Sequence, residues 1–219
     1  FNFKRSELVS VHADGKVSKT LEGWRQIFEI VCVLEREGMR VTFTYAFALL
    51  KSYKEENYLE LFTALQHHGL PTPPILVTDF ELAVVNAAQK VYPSSHVRGC
   101  VFNFAINMFN RQSLLNQWMT PNVSPQVSNF IRILPYLHYP HYALLSVLEL
   151  SGLQGEELFA TADTRMLLYV FLTYFSKLRM IFQIDLDKSL IRTNNVCKGF
   201  NSALVRNFGS RTKLAEMVD

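Results

Sequence analysis

The chain has 219 residues, 49% of them hydrophobic, with 17 Phe and 9 Tyr. That suffices for one sizeable core, or for one core with an inserted subdomain, and leaves no low-complexity tract. The net charge of +3, from 22 basic against 19 acidic residues, is smaller than a dedicated DNA-binding module usually carries, and no apolar run approaches the roughly 18 residues of a membrane span.

Glu7 to Asp14 alternates Leu8, Val9 and Val11 with smaller residues and predicts a first strand. Trp24 to Leu34 and Val41 to Leu50 are two further β-prone runs, joined by the polar turn Glu35–Gly38 as in a hairpin. Ser52 is expected to cap a helix, with Glu55 at the capping-box position. Tyr58, Leu61, Phe62 and Leu65 share one face of that helix, and Gly69 with Pro71 ends it. Ile75-Leu76-Val77 reads as a fourth strand, buried on both faces. Thr78-Asp79-Phe80-Glu81 fits the T-x-x-E capping box, after which Phe80, Ala83, Val84, Ala87, Ala88 and Val91 recur at helical spacing. Pro93-Ser94-Ser95 stops that helix, and His96 to Phe102 leads into a fifth strand.

From about 104 to 188 the text turns helical, with candidates at 104–118, 124–134, 139–151 and 163–180, the last capped by Asp163. A closing helix begins after Asn194 or Asn195 and buries Val196, Phe200, Ala203 and Leu204. Lys198 falls about 140° from the centre of that stripe, at roughly 100° per residue. Three antiparallel strands followed by right-handed crossovers predict an α/β fold. That order predicts an RNase H-like mixed five-stranded sheet with flanking helices. The helical stretch reads as a second subdomain, which the family resemblance given below implies is an all-α insertion between the fifth strand and the last helix. The expected domains are a core at 1–103, a helical insertion at 104–190 and a returning helix at 191–219. In this topology the first strand lies beside the fourth, which brings Asp14 next to Asp79. Asp79 also sits where a strand meets a helix start, a place that favours the ionised carboxylate.

Cys32, Cys100 and Cys197 are isolated, with no C-x-x-C pair, which suits a reducing compartment and argues against a zinc knuckle. The chain opens on Phe1 without a signal peptide, so an excised domain is expected, with any targeting signal outside it. His67-His68 closes a helix, and His138 and His141 lie among tyrosines; neither pair makes a catalytic case. There is no Gly-rich phosphate loop, no G-x-S-x-G and no Cys–His nucleophile pattern.

The run DFELAVVNAAQKVYP…VRGCVF, from Asp79 through Glu81, Gly99 and Cys100, resembles the tDfE-A…A…fP…GC-F-H signature of Mutator-like element transposases. Ala13-Asp14-Gly15-Lys16 is similar to that family's first-strand D-G-T. Arg192-Thr193-Asn194-Asn195-Val196-Cys197-Lys198 is similar to its R-T-N-N-x-x-E. The resemblance implies an RNase H-like catalytic domain with an Asp-Asp-Glu site holding Mg²⁺ or Mn²⁺ for two-metal phosphoryl transfer. Asp14 and Asp79 match two of the three acids. At the third, Lys198 stands where the pattern has Glu, which removes a ligand and adds a charge that repels cations. Asn103 replaces the signature histidine, and Lys16-Val17 stands for Thr-Phe. Glu29, Glu81, Asp185 and Asp187 are the acids that could substitute, and spacing recommends none of them.

The expectation is therefore a transposase-derived domain without catalysis, metal or other cofactor. It would serve as a protein-interaction scaffold in a nuclear, chromatin-linked factor, with DNA contact second and no membrane. Asp14, Asp79 and Lys198 would be remnant positions, and the Lys198 ammonium could neutralise the two aspartates. The alternatives are an active transposase or nuclease core with a displaced third acid, and a non-cleaving DNA-binding module. Arg98, Arg111, Arg192, Arg206 and Arg211, with Lys198, would favour DNA if they share one face. Oligomeric state is not legible.

Overall fold

The computed structural model describes residues 3–17, 23–109, 123–137, 140–152, 154–155, 160–176 and 197. The chain divides into two compact units, Phe1–Cys100 with Ile191–Asp219, and Val101–Leu190.

The first unit is built on a mixed five-stranded sheet of the α/β class. Its strands are β1 (Leu8–Val17), β2 (Gln26–Arg36), β3 (Met39–Leu50), β4 (Ile75–Thr78) and β5 (His96–Gly99), in the order β3-β2-β1-β4-β5. β1 runs antiparallel to β2 and parallel to β4; β2–β3 is antiparallel and β4–β5 parallel. In β2 every residue from Phe28 to Leu34 is buried, because a strand covered on both faces has no solvent side to alternate with. The β2–β3 hairpin closes on Glu37 and Gly38, at φ 52° and 77°, with Arg36 paired to Met39. Two positive-φ residues match the right-handed strand twist, which is why glycine is needed there.

Helices α1 (Glu55–His67) and α2 (Leu82–Val91) pack together. α1 buries Tyr58, Leu61, Phe62 and Leu65, the face that periodicity predicts; each such side chain contributes roughly 1.5–3 kcal/mol on burial. The Tyr92 hydroxyl donates to the Phe62 carbonyl at 3.1 Å, and Glu55 accepts from both Lys90 and Asn86.

Both expected capping boxes dissolve into other contacts. Ser52 lies too far ahead of α1, and its Oγ and N–H bond Asn57 Oδ1 at 2.9 and 3.1 Å. Thr78 ends β4 with its hydroxyl buried and without a hydrogen-bond partner, and Glu81, the residue before α2, gives its carboxylate to the Tyr58 hydroxyl. Tertiary partners have claimed the side chains that local spacing assigned to caps.

The second unit is helical: α3 (Val101–Phe109), α4 (Pro125–Ile133), α5 (Pro140–Leu150) and α6 (Ala162–Val170), the last continuing into a π-helical stretch, Phe171–Ser176. The fifth strand stops at Gly99, so Val101 and Phe102, expected in it, open α3. Phe104 packs edge-on to Tyr174 at 4.9 Å, and Met108, Ile131, Leu134, Leu144, Met166 and Val170 are buried. Ser124 caps α4. Thr161, not Asp163, caps α6, because Asp163 Oδ1 accepts the Ser124 N–H at 2.6 Å. Residues 110–118 and 177–180 of the expected helices lie outside the described residues. Among the described residues no helix is long and apolar enough to cross a membrane.

One glycine is fixed by packing. A Cβ on Gly15 would overlap Gln26 Oε1 and lie 3.1 Å from Phe28 Cδ2. Gln26 is buried and cannot swing away without losing its 2.6 Å bond to the Tyr58 hydroxyl. Gly15→Ala should therefore lower unfolding free energy by about 1–3 kcal/mol in urea titrations. In a Gln26→Ala background that cost should largely vanish. An equal cost in both backgrounds would refute the clash.

Candidate functional site

Residues paired directly across two strands point to the same face of a sheet. Asp14 pairs with Glu29, and Glu29 with Phe47. On the other side, Val11 pairs with Leu76 and His12 with Val77, so the same register carried past the end of β4 sets Asp79 beside Asp14. Thr78 pairs with Gly99, and Cys100 N–H bonds the Thr78 carbonyl at 2.9 Å, which sets Cys100 beside Asp79. One row thus crosses the sheet: Phe47, Glu29, Asp14, Asp79, Cys100. Neighbouring strands are about 4.8 Å apart, so three carboxylates lie in succession.

Cys197 lies within electrostatic reach of this row. Its thiol is fully buried, and its pKa is pushed up first by that burial, then by the charges of Glu29, Asp14 and Asp79 and by Cys100. Those are the four polar members of the row. A buried thiol with a raised pKa is a weak nucleophile.

Two of the acids are buried, and the third, Asp79, is half-buried. Asp14 is 8% exposed and Glu29 0%. Glu29 Oε1 accepts from the Thr44 hydroxyl at 2.9 Å, while Oε2 has no hydrogen-bond partner. One row back on the same face lie buried His12, bonded to Ser10 Oγ at 3.0 Å, and Arg98, 8% exposed on β5. A guanidinium this buried has little surface from which to reach a phosphate.

The opposite face holds the connection after Asp79 in place. Glu81 accepts from the Tyr58 hydroxyl at 3.1 and 3.2 Å, and that hydroxyl accepts from Gln26. Burial raises the Glu81 pKa, the Tyr58 bond lowers it, and the charge of Asp79 raises it again. Gly15, next to Asp14, abuts the same Gln26.

The structure thus brings Asp14, Asp79, Cys100 and Cys197 together, adds Glu29, and keeps Glu81 within electrostatic reach. Asn103 lies on α3, in the other unit. Arg111, Asp185, Asp187, Arg192, Thr193, Asn194, Asn195, Lys198, Arg206 and Arg211 lie outside the described residues. Sequence spacing named Glu29 as one of four acids that could substitute without singling it out, although a lone acid inside the apolar run Ile27–Leu34 was a signal, since Glu is almost never buried without a partner.

Magnesium and manganese prefer several carboxylate oxygens in an open, hydrated setting. Here two of the acids are buried, and a fully buried thiol lies within their electrostatic reach. Among the described residues no group of three or more His, Cys, Asp or Glu is disposed to hold a metal ion, and the donor set they offer does not fit a two-metal site.

Fold and site together define a mixed α/β protein whose two parallel central strands end on neighbouring aspartates. Residues 19–107 match the family model of the MULE transposase domain, so over that stretch the chain is similar to the MULE transposases. The match takes in Asp79, Glu81, Gly99, Cys100 and Asn103, and leaves Asp14 and Arg192–Lys198 outside it. A search of the curated proteins found no match.

Glu29 makes the row measurable. Burial, opposed by the Thr44 bond, lifts its carboxyl from the ordinary 4.5 to about 7. The native state then holds this proton more tightly than the unfolded chain does. The associated stability is complete below pH 4.5, declines as pH rises to about 7, and is flat above. The urea midpoint of the wild type should fall across that window relative to Glu29→Gln. Equal slopes for the two proteins would contradict the assignment.

Proposed function

We propose that this chain is an RNase H-like domain of transposase descent that no longer cuts DNA and acts as a protein-interaction scaffold in a nuclear factor. The observation that carries this reading is the position of Cys197. It is buried within electrostatic reach of Asp14 and Asp79, and the next residue in the sequence is Lys198. A lysine at the family's third-acid position replaces a ligand by an ammonium, which would repel a divalent cation.

Exposed apolar side chains on the sheet's edge strand favour a protein partner over DNA. Met39, Val41 and Phe47 of β3 are 64%, 45% and 49% exposed, and Arg40, its only charged residue, is paired to Glu35. An edge of this kind pairs readily with other chains unless something covers it. The small net charge and the burial of Arg98 point the same way.

One observation favours a second reading, an active core with a displaced third acid. Of the four substitute acids, Glu29 is the one that register puts next to Asp14. Plasmid nicking in Mg²⁺ or Mn²⁺ separates the two readings. The scaffold reading expects no nicking by the wild type. Nicking that disappears in Asp79→Asn would overturn it. A residual affinity for duplex that collapses with rising salt, without cleavage, would instead favour a DNA-binding module.

A further inference from the structure

We infer that the acid row, in which Glu29 and Asp14 are buried and Asp79 is half-buried, is a polar core and not a cation site, and that Glu29 is the residue that closes it. This rests on the non-catalytic reading above and deepens it for the same row.

A hard cation needs carboxylate oxygens that share access to one open volume. Glu29 instead fills the cross-strand place beside Asp14. It is wholly buried, one oxygen is tied back to Thr44, and the other is confined within the protein. Cys197, wholly buried, lies within electrostatic reach of the same acids. A thiol is a poor ligand for Mg²⁺ or Mn²⁺ even when ionised. No three of these side chains are disposed around a common centre among the described residues.

The arrangement has an energetic signature. Carboxylates opposed on adjacent strands repel, and a buried one has no water to screen it. Where a cation binds such a row, removing one acid weakens the protein in the presence of metal. Where nothing binds, replacing Glu29 by its neutral isostere relieves repulsion. Glutamine keeps the acceptor for Thr44 and adds an N–H donor towards Asp14.

The test is thermal melting of the wild type and Glu29→Gln at pH 8, with and without Mn²⁺, together with calorimetric titration of Mn²⁺ into the wild type. The expected result is no binding heat and no metal-induced shift for either protein. Glu29→Gln should melt about 2–4 °C higher, the shift that roughly 1 kcal/mol produces in a chain of this size. A variant that melts at the same temperature or lower overturns the inference. So does Mn²⁺ binding that raises the melting temperature of the wild type and is lost in Glu29→Gln. Binding without plasmid nicking would sink this inference and leave the scaffold reading intact; binding with nicking would sink both.

Discussion

Everything at the candidate site follows from the way β1 pairs differently on its two sides. Its antiparallel register with β2 faces Asp14 with Glu29, and its parallel register with β4 brings Asp79 alongside. Side chains alternate strictly along a strand, so a slip of one residue on either side would send an acid to the opposite face. The bulges fall where they do not break the row. One lies between Leu8 and Ser10, before Asp14, and one between Ile30 and Val31, past Glu29. The second admits an extra residue on β3, Tyr45, between Thr44 and Ala46, and Thr44 still reaches Glu29.

The magnitude of the repulsion says what such a row can be. Two unit charges about 5 Å apart at an effective dielectric of about 20 interact by roughly 3 kcal/mol. Three ionised carboxylates in succession would therefore cost a large share of the stability of an ordinary domain. Such a row persists only with a cation, a proton or an internal ammonium in it. Burial raises the Glu29 pKa to about 7, so a proton held there below that pH takes one charge out of the row. On the reading proposed above, Lys198, the residue after Cys197 in the sequence, would supply an ammonium.

How much of this was legible depended on whether local pattern or tertiary pairing decided it. The strand, strand, strand, helix, strand, helix, strand order was readable because each run had a clean period, as with Tyr58, Leu61, Phe62 and Leu65 on α1. The adjacency of Asp14 and Asp79 followed from topology. The caps were misread because Ser52, Glu81 and Asp163 each had a better partner elsewhere in the fold: Asn57, Tyr58 and Ser124. Glu29 was visible as an anomaly, a carboxylate in an apolar strand, yet nothing within β2 says which face it takes or which acid it meets. That information lies in the register between strands, which one sequence does not display.

The two faces of the sheet place different demands on the residues after β1 and β4. Beneath, the Gln26–Tyr58–Glu81 chain of hydrogen bonds holds the segment after Asp79 and leaves Gly15 no room for a side chain. These contacts maintain the scaffold and are satisfied whether or not chemistry occurs above them. Above, Asp14, Glu29, the Cys197 thiol and the neighbouring His12 and Arg98 form a buried polar layer, with Asp79 half-buried beside it. A working phosphoryl-transfer site has to keep that layer open to a cation and a phosphate, at a standing cost in stability. A binding scaffold has no such requirement, so residues that close the layer become tolerable there. On the reading proposed above, a fully buried Glu29 within reach of a fully buried Cys197 is what such relaxation would leave, while the framework on the other face is spared.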